Sequence, residues 1–355
     1  MKPEDSPIGT RNDSLCWFLK MIKQRHLRRS AFSLAEMLVA MTIFLLMMTF
    51  LFSMIGHAEK IWISSSGKIG AFREARTAFE SLSSTLSQAS LNPYWDYDNA
   101  NNPTNYVRKS ELRFSSGPGL LAKETSPTHS VFFQVPLGRT SNSGYLGMET
   151  LFNSCGYYIE RSDDSRHRPA FLNGRIQSRT RFRLMQWLEP SEKWGLFKHT
   201  SGNPGYSGNG WFSDPVGAGT DTHVLADNVI ALVVLPKLPT LEDPSGAALS
   251  PSYSYDSAPA GWPPFLPQAR TENQLPPVVQ ITMVTLHETS ADRLEELSAG
   301  APVEFLGLDS LFRQANQLTA DLERLTDLLN EHGLRYHVFQ SAIKIRGAKW
   351  SRGYE

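Results

Sequence analysis

The chain has 355 residues, a formal net charge of +0, 41% hydrophobic and 20% charged residues, and a mean hydropathy of −0.30. These values fit a folded protein of one or two domains and not a disordered chain. Charge balance gives no reason to expect nucleic acid as the main partner, and Cys16 and Cys155 lack the CxxC spacing that a zinc or redox site needs.

Charge is unevenly placed along the chain. Residues 1–31 hold Lys2, Arg11, Lys20, Lys23, Arg25, Arg28 and Arg29 against Glu4, Asp5 and Asp13, so 28 basic and 32 acidic residues remain beyond Ala31. An apolar run follows, from Phe32 to Ile55, with Glu36 as its one charge. As a helix rising ~1.5 Å per residue it reaches roughly 36 Å, more than the ~30 Å hydrocarbon core of a bilayer. It is too long for the ~7–15-residue apolar region of a secretory signal peptide. Basic residues ahead of it predict one span with the N-terminus in the cytoplasm and the bulk of the chain across the membrane. The span would put the two cysteines in different compartments, leaving Cys155 as a buried structural thiol. A carboxylate at the bilayer centre costs on the order of 2.5–3.5 kcal/mol, whereas Glu36 lies near the cytoplasmic end, where an ordinary anchor tolerates it.

The stretch "AFSLAEMLVAMTIF", Ala31 to Phe44, resembles the prepilin cleavage and methylation signature of type IV pilins and type II secretion pseudopilins. The resemblance implies cleavage by a prepilin peptidase between Ala31, which stands where the family usually has Gly, and Phe32. It implies methylation of the new amine on Phe32. It also gives Glu36 a role in assembly, pairing with the terminal amine of an adjacent subunit, while Leu38, Val39, Ile43 and Leu46 pack against neighbouring spans. Residues 1–31 would be the leader and 32–55 the transmembrane helix.

Beyond Ile55 the helical pattern continues through 56–90, weakened locally at Gly56 and at "SSSG", Ser64 to Gly67. Ile69, Phe72, Ala75, Arg76, Phe79, Leu82 and Leu86 recur at steps of three and four, predicting one buried stripe that packs on a sheet. "LNPYW" at Leu91–Trp95 ends the helix. Seven segments then read as strands, beginning at Glu111, Ser130, Cys155, Arg181, Asn228, Val278 and Tyr336; several alternate at period two, which predicts one wet face. Asn92–Asn105, His199–Gly210 and the Pro-rich stretch 238–277 read as loops, the last either a functional excursion or disordered. An apolar face from Asp309 to about Asn330 predicts a helix over 309–330 with Gly333 as its C-cap, and Leu294 and Leu297 suggest a shorter one before it. The fold class is therefore α+β: a long N-terminal helix, membrane-spanning in its first half and packed on an antiparallel sheet in its second, with an inserted helix in the soluble domain 91–355.

The order "DNVIALVVLP", spacer, "LPPVVQITMVTL", closing "YHVFQSAIKIRGAKW" resembles minor pseudopilins of the J type and the C member of the Verru_Chthon cassette of pilin-like proteins. No nucleophile elbow, P-loop, dinucleotide fingerprint or H-E-x-x-H is present, and His287, Glu288 and His167 form no evident catalytic set, so no enzymatic activity is expected. No cofactor is expected. Calcium is the one cation the resemblance admits, with Asp96, Asp98 and Asn99 or Asp163 and Asp164 as oxygen donors, although no twelve-residue calcium loop occurs and solvated turns are the simpler reading. Trp187, Trp194, Trp211 and Trp262 mark an interface where exposed and anchor the core otherwise. The expected role is a structural subunit of a bacterial envelope filament, held in the inner membrane, with sibling subunits as partners. An uncleaved single-span binding or enzymatic domain, or a DNA-uptake minor pilin, are the alternatives.

Overall fold

The computed structural model describes residues 33–122, 126–165, 169–172, 174–175, 178–196, 208–246, 249–258 and 268–350. The chain divides into two units, Met1–Ser64 and Ser65–Glu355. Helix α1, Leu34–Ser87, begins in the first and ends in the second, unbroken through Gly56 and residues 64–67. Its stretch to Trp62 is long and apolar enough to cross a membrane. In the second unit Ala75, Ala78, Phe79, Leu82 and Leu86 of α1 are buried, which is the predicted stripe except at Arg76, whose exposed guanidinium pairs with Glu80 at 2.8 Å one turn along.

Eleven strands make up the sheets found among the described residues. β1 (Tyr94–Tyr97) and β2 (Tyr106–Lys109) form a two-stranded ribbon, so Tyr94–Tyr97 of the expected loop Asn92–Asn105 is in fact strand, paired with residues just beyond the loop's end. β3 (Ser115–Pro118), β4 (His129–Pro136), β5 (Phe152–Asp163), β6 (Thr180–Glu189), β7 (Thr222–Asp227) and β9 (Tyr255–Asp256) form a six-stranded antiparallel sheet in the order β7-β6-β5-β4-β3-β9. β8 (Val229–Lys237), β10 (Val278–Leu286) and β11 (Tyr336–Lys344) form a three-stranded antiparallel sheet in the order β11-β10-β8. The stripe of α1 meets this second sheet, with half-buried Phe72 stacked on Phe339 and Phe79 tilted against it at ring-centre distances of 5.6 and 5.7 Å.

A single residue moves the chain from one sheet to the other. Asn228, between β7 and β8, has φ 60°, a left-handed conformation that Asn adopts more readily than β-branched residues. The outer edge of β8 is then closed by side chains rather than by a strand: the Leu232 and Val234 N–H groups donate to Thr128 Oγ1 at 3.4 Å and His129 Nδ1 at 3.1 Å. β4 and β8 are buried along nearly their whole length on both faces. The expected wet face is found on β11, where Val338, Gln340 and Ala342 are exposed while Ile343 is buried.

The Pro-rich stretch is ordered where it is described. It supplies β9 to the edge of the six-stranded sheet and buries Tyr253, Tyr255 and Leu275. Helix α2 (Gly210–Gly217), which sequence reading missed at the end of a Gly-rich loop, buries Trp211 and Phe212 against Phe132 of β4. The segment between β10 and β11 carries α3 (Glu288–Leu297), α4 (Pro302–Leu306) and α5 (Leu318–Glu331).

The expected helix over 309–330 is thus shortened at its start. Phe312 has φ 58°, which no α-helix can accommodate, and its N–H donates to Asp321 Oδ2 at 2.9 Å instead of to a preceding carbonyl. Leu308 and Phe312 are still buried, so the apolar pattern was real but belongs to a turn. At the other end Gly333 takes φ 64° and Leu334 N donates back to Leu329 O at 2.8 Å, the left-handed termination expected of it.

Candidate functional site at the start of the long helix

Ser33 stands immediately before the first residue of α1, and Glu36 completes its first turn. Glu36 N donates to Ser33 Oγ at 3.2 Å, while Ser33 N and Ser33 Oγ both donate to Glu36 Oε2, at 3.1 and 3.3 Å. This is a reciprocal capping box, which satisfies amide hydrogens that a helix start otherwise leaves without partners. The negative carboxylate also sits at the positive end of the helix dipole. Both bonds fall on Oε2, and Oε1 accepts no hydrogen bond among the described residues.

Around a helix turning ~100° per residue, Val39, Ile43 and Leu46 lie within roughly 80° of Glu36 and make one stripe with it, whereas Leu38 projects from the far side. All five are exposed, from 50% for Ile43 to 69% for Leu46 among the apolar four. Met37, Met41, Phe44, Leu45, Met47, Phe50 and Phe52 are exposed too, so the segment is apolar all round and buries almost nothing within its own unit. An apolar surface of this extent marks contact with lipid or with other spans. Its threonine hydroxyls are already satisfied: Thr42 Oγ1 donates to Val39 O and Thr49 Oγ1 to Leu46 O, both at 2.8 Å. Ala31 and Phe32, between which cleavage is expected, lie outside the described residues.

Ser33 and Glu36 stand three apart inside the stretch that carries the family resemblance. S-x-x-E is a capping signature in its own right.

The remaining polar candidates hold structure together. Glu288 opens α3; it accepts from Arg181 Nη2 at 3.2 Å and, through Oε2, from Asn228 Nδ2 at 2.6 Å, and Asp292 also binds Arg181. Asp96 pairs with Lys109 Nζ at 2.6 Å. Asp98 accepts from the N–H groups of Thr104 and Asn105 at 2.9 and 3.1 Å and from the Thr104 hydroxyl, and these bonds hold its carboxyl well below the usual range. Asp163 and Asp164 accept from Ser165 N and Arg179 N. Each of the four thus already has a protein hydrogen-bond donor. Trp187 and Trp211 are buried, Trp194 is half-buried, and Trp262 lies outside the described residues. Cys155 is fully buried and burial pushes its thiol up to about 12; Cys16 lies outside the described residues. His287, which caps α3, faces His337 of β11 with Nε2 atoms 3.2 Å apart. Among the described residues no three His, Cys, Asp or Glu side chains gather as a metal site.

Residues 27–52 match the family model of the prokaryotic N-terminal methylation motif. No curated protein and no solved structure matches the chain. The matched stretch spans the basic flank, Ser33, Glu36 and the exposed apolar helix. The chain thus joins a prepilin-type methylation motif to an α+β, pilin-like fold, and the motif supports a type IV pilin-like or pseudopilin-type protein.

Proposed function

We propose that the chain is a minor pilin-like or pseudopilin-like structural subunit of a bacterial envelope filament. It is made as a single-span precursor with residues 1–31 in the cytoplasm, cut by prepilin peptidase between Ala31 and Phe32, and assembled with sibling subunits from the inner membrane. Its work is structural and not catalytic. The observation that carries this reading is Glu36, the sole charge in an apolar helix exposed on every side, inside the matched methylation motif.

Cleavage before Phe32 creates an α-amine that stays cationic when methylated, and it leaves the Phe32–Ser33 peptide intact, so the capping N–H of Ser33 survives. A neighbour's terminal amine then finds Glu36 with one oxygen held by Ser33 and the other available. Two opposite charges paired in an apolar bundle are tolerated where either alone is costly. Glu36 fixes the register between subunits, while Val39, Ile43 and Leu46 on its stripe and Leu38 opposite supply the apolar contact.

The mass of the N-terminal peptide, taken from a host with an active prepilin peptidase, tests the first step. A product beginning at methylated Phe32 is expected; one beginning at Met1 would leave an uncleaved anchored domain in its place. Glu36→Gln tests the second. It should insert and be cleaved but fail to enter the filament, and normal incorporation would remove the role given to the charge.

A further inference from the structure

His287 and His337 point their Nε2 atoms at one another across the end of the three-stranded sheet. The nitrogens are 3.2 Å apart although the ring centres are 5.0 Å apart, so the two rings converge on one point. We propose that this pair is a binding site for one divalent transition-metal ion of the copper–zinc class. The proposal stands independently of the filament role.

Three features support the site. The first is spacing: with metal–nitrogen bonds of about 2.0–2.1 Å, nitrogens 3.2 Å apart subtend about 100° at the ion, between the octahedral and tetrahedral values. The second is that the rings are positioned in advance. His337 stands edge-on to Phe72 of α1 at 4.9 Å, and His287 N donates to Arg335 O at 3.0 Å, continuing the β10–β11 pairing past Leu286. The third is access: His337 is exposed and His287 half-buried, so the pair lies at the surface.

Imidazole is a favoured ligand of copper and zinc, with copper(II) bound the more tightly of the two. Without metal, one Nε2–H donates to the other Nε2. On binding, the donor ring shifts its proton to Nδ1 and both Nε2 lone pairs turn to the ion. The two histidines come from segments 50 residues apart in sequence, so the bound ion would also tie the start of α3 to β11.

The test uses the full chain in detergent micelles, titrated separately with Cu²⁺ and Zn²⁺, against His287→Gln and His337→Gln. One saturable ion per chain is expected, with affinity falling at least about tenfold in each variant and copper resonance spectra showing two imidazole nitrogens in the parent and one in each variant. Equal affinity in the parent and His287→Gln, or a parent spectrum with a single imidazole nitrogen, would overturn the assignment. Should His337→Gln lose its native circular dichroism, because its ring packs on Phe72, the half-buried His287 variant decides alone.

Discussion

His129 Nδ1 accepts the backbone N–H of Val234 at 3.1 Å, and this bond requires a neutral ring, because Nε2 keeps its proton for the Phe312 carbonyl at 2.9 Å. Burial pushes the imidazole from 6.5 down to about 4. Between those values the unfolded chain carries the extra proton and the folded chain does not, so stability is complete above pH 6.5 and falls as pH drops toward 4. The loss attributable to this residue is about 3 kcal/mol at pH 4. Denaturant midpoints measured across pH 4–7 should show this slope in the parent and a flatter one in His129→Asn, whose amide oxygen can take the Val234 bond without titrating.

Gly156 of β5 lies opposite Phe132 of β4 and gives its ring room. A Cβ at position 156 would stand 2.1 Å from Phe132 Cδ1, and the ring cannot withdraw because Phe212 stacks on it at 3.9 Å and Trp187 and Trp211 flank it. Gly156→Ala should therefore destabilise the soluble unit by about 1–3 kcal/mol or more, read as a lower unfolding midpoint with unchanged membrane insertion.

Ser33→Ala and Glu36→Gln separate the two roles of the first helical turn. Gln still serves in a capping box, so Glu36→Gln removes charge and keeps the helix start. Ser33→Ala keeps charge and removes the cap, at about 1 kcal/mol. Amide exchange over 34–37 in micelles should quicken about fivefold in the serine variant and little in the glutamine variant, whereas filament incorporation should fail in the glutamine variant.

Cys155 sits between β4 and β6 with its thiol fully buried and pushed up to about 12. The thiolate that reacts with disulfide reagents is therefore scarce and out of reach. Its modification should wait for global unfolding, with a labelling rate that tracks denaturant concentration across the transition.

The parts of the fold legible in the sequence were those written in local periodicity. The α1 stripe at Phe72, Phe79 and Leu82, the strands around Phe133, Tyr157 and Ile281, and the Gly333 termination all follow from side-chain spacing or from glycine's freedom. What escaped was set by distant contacts. Phe312 interrupts the leucine pattern because Asp321 captures its N–H, α2 exists because Trp211 and Phe212 find Phe132 across the chain, and β9 is two residues whose pairing depends on Ser115 and Ser116. At the candidate site, Glu36 announced itself as a charge in an apolar run. Its bond to Ser33 was equally visible as S-x-x-E, and the approach of His337 to His287 was not, since it depends on strand register.

The short β9 has one more effect. By pairing with Ser115 and Ser116 it occupies the flank of the six-stranded sheet, and Ser254 lies so near Gly117 that a Cβ there would stand 2.9 Å from its Cα. A foreign strand seeking that flank would first have to peel the proline-rich segment away. That flank of the six-stranded sheet is in this way withheld as a ready template for intermolecular strand addition.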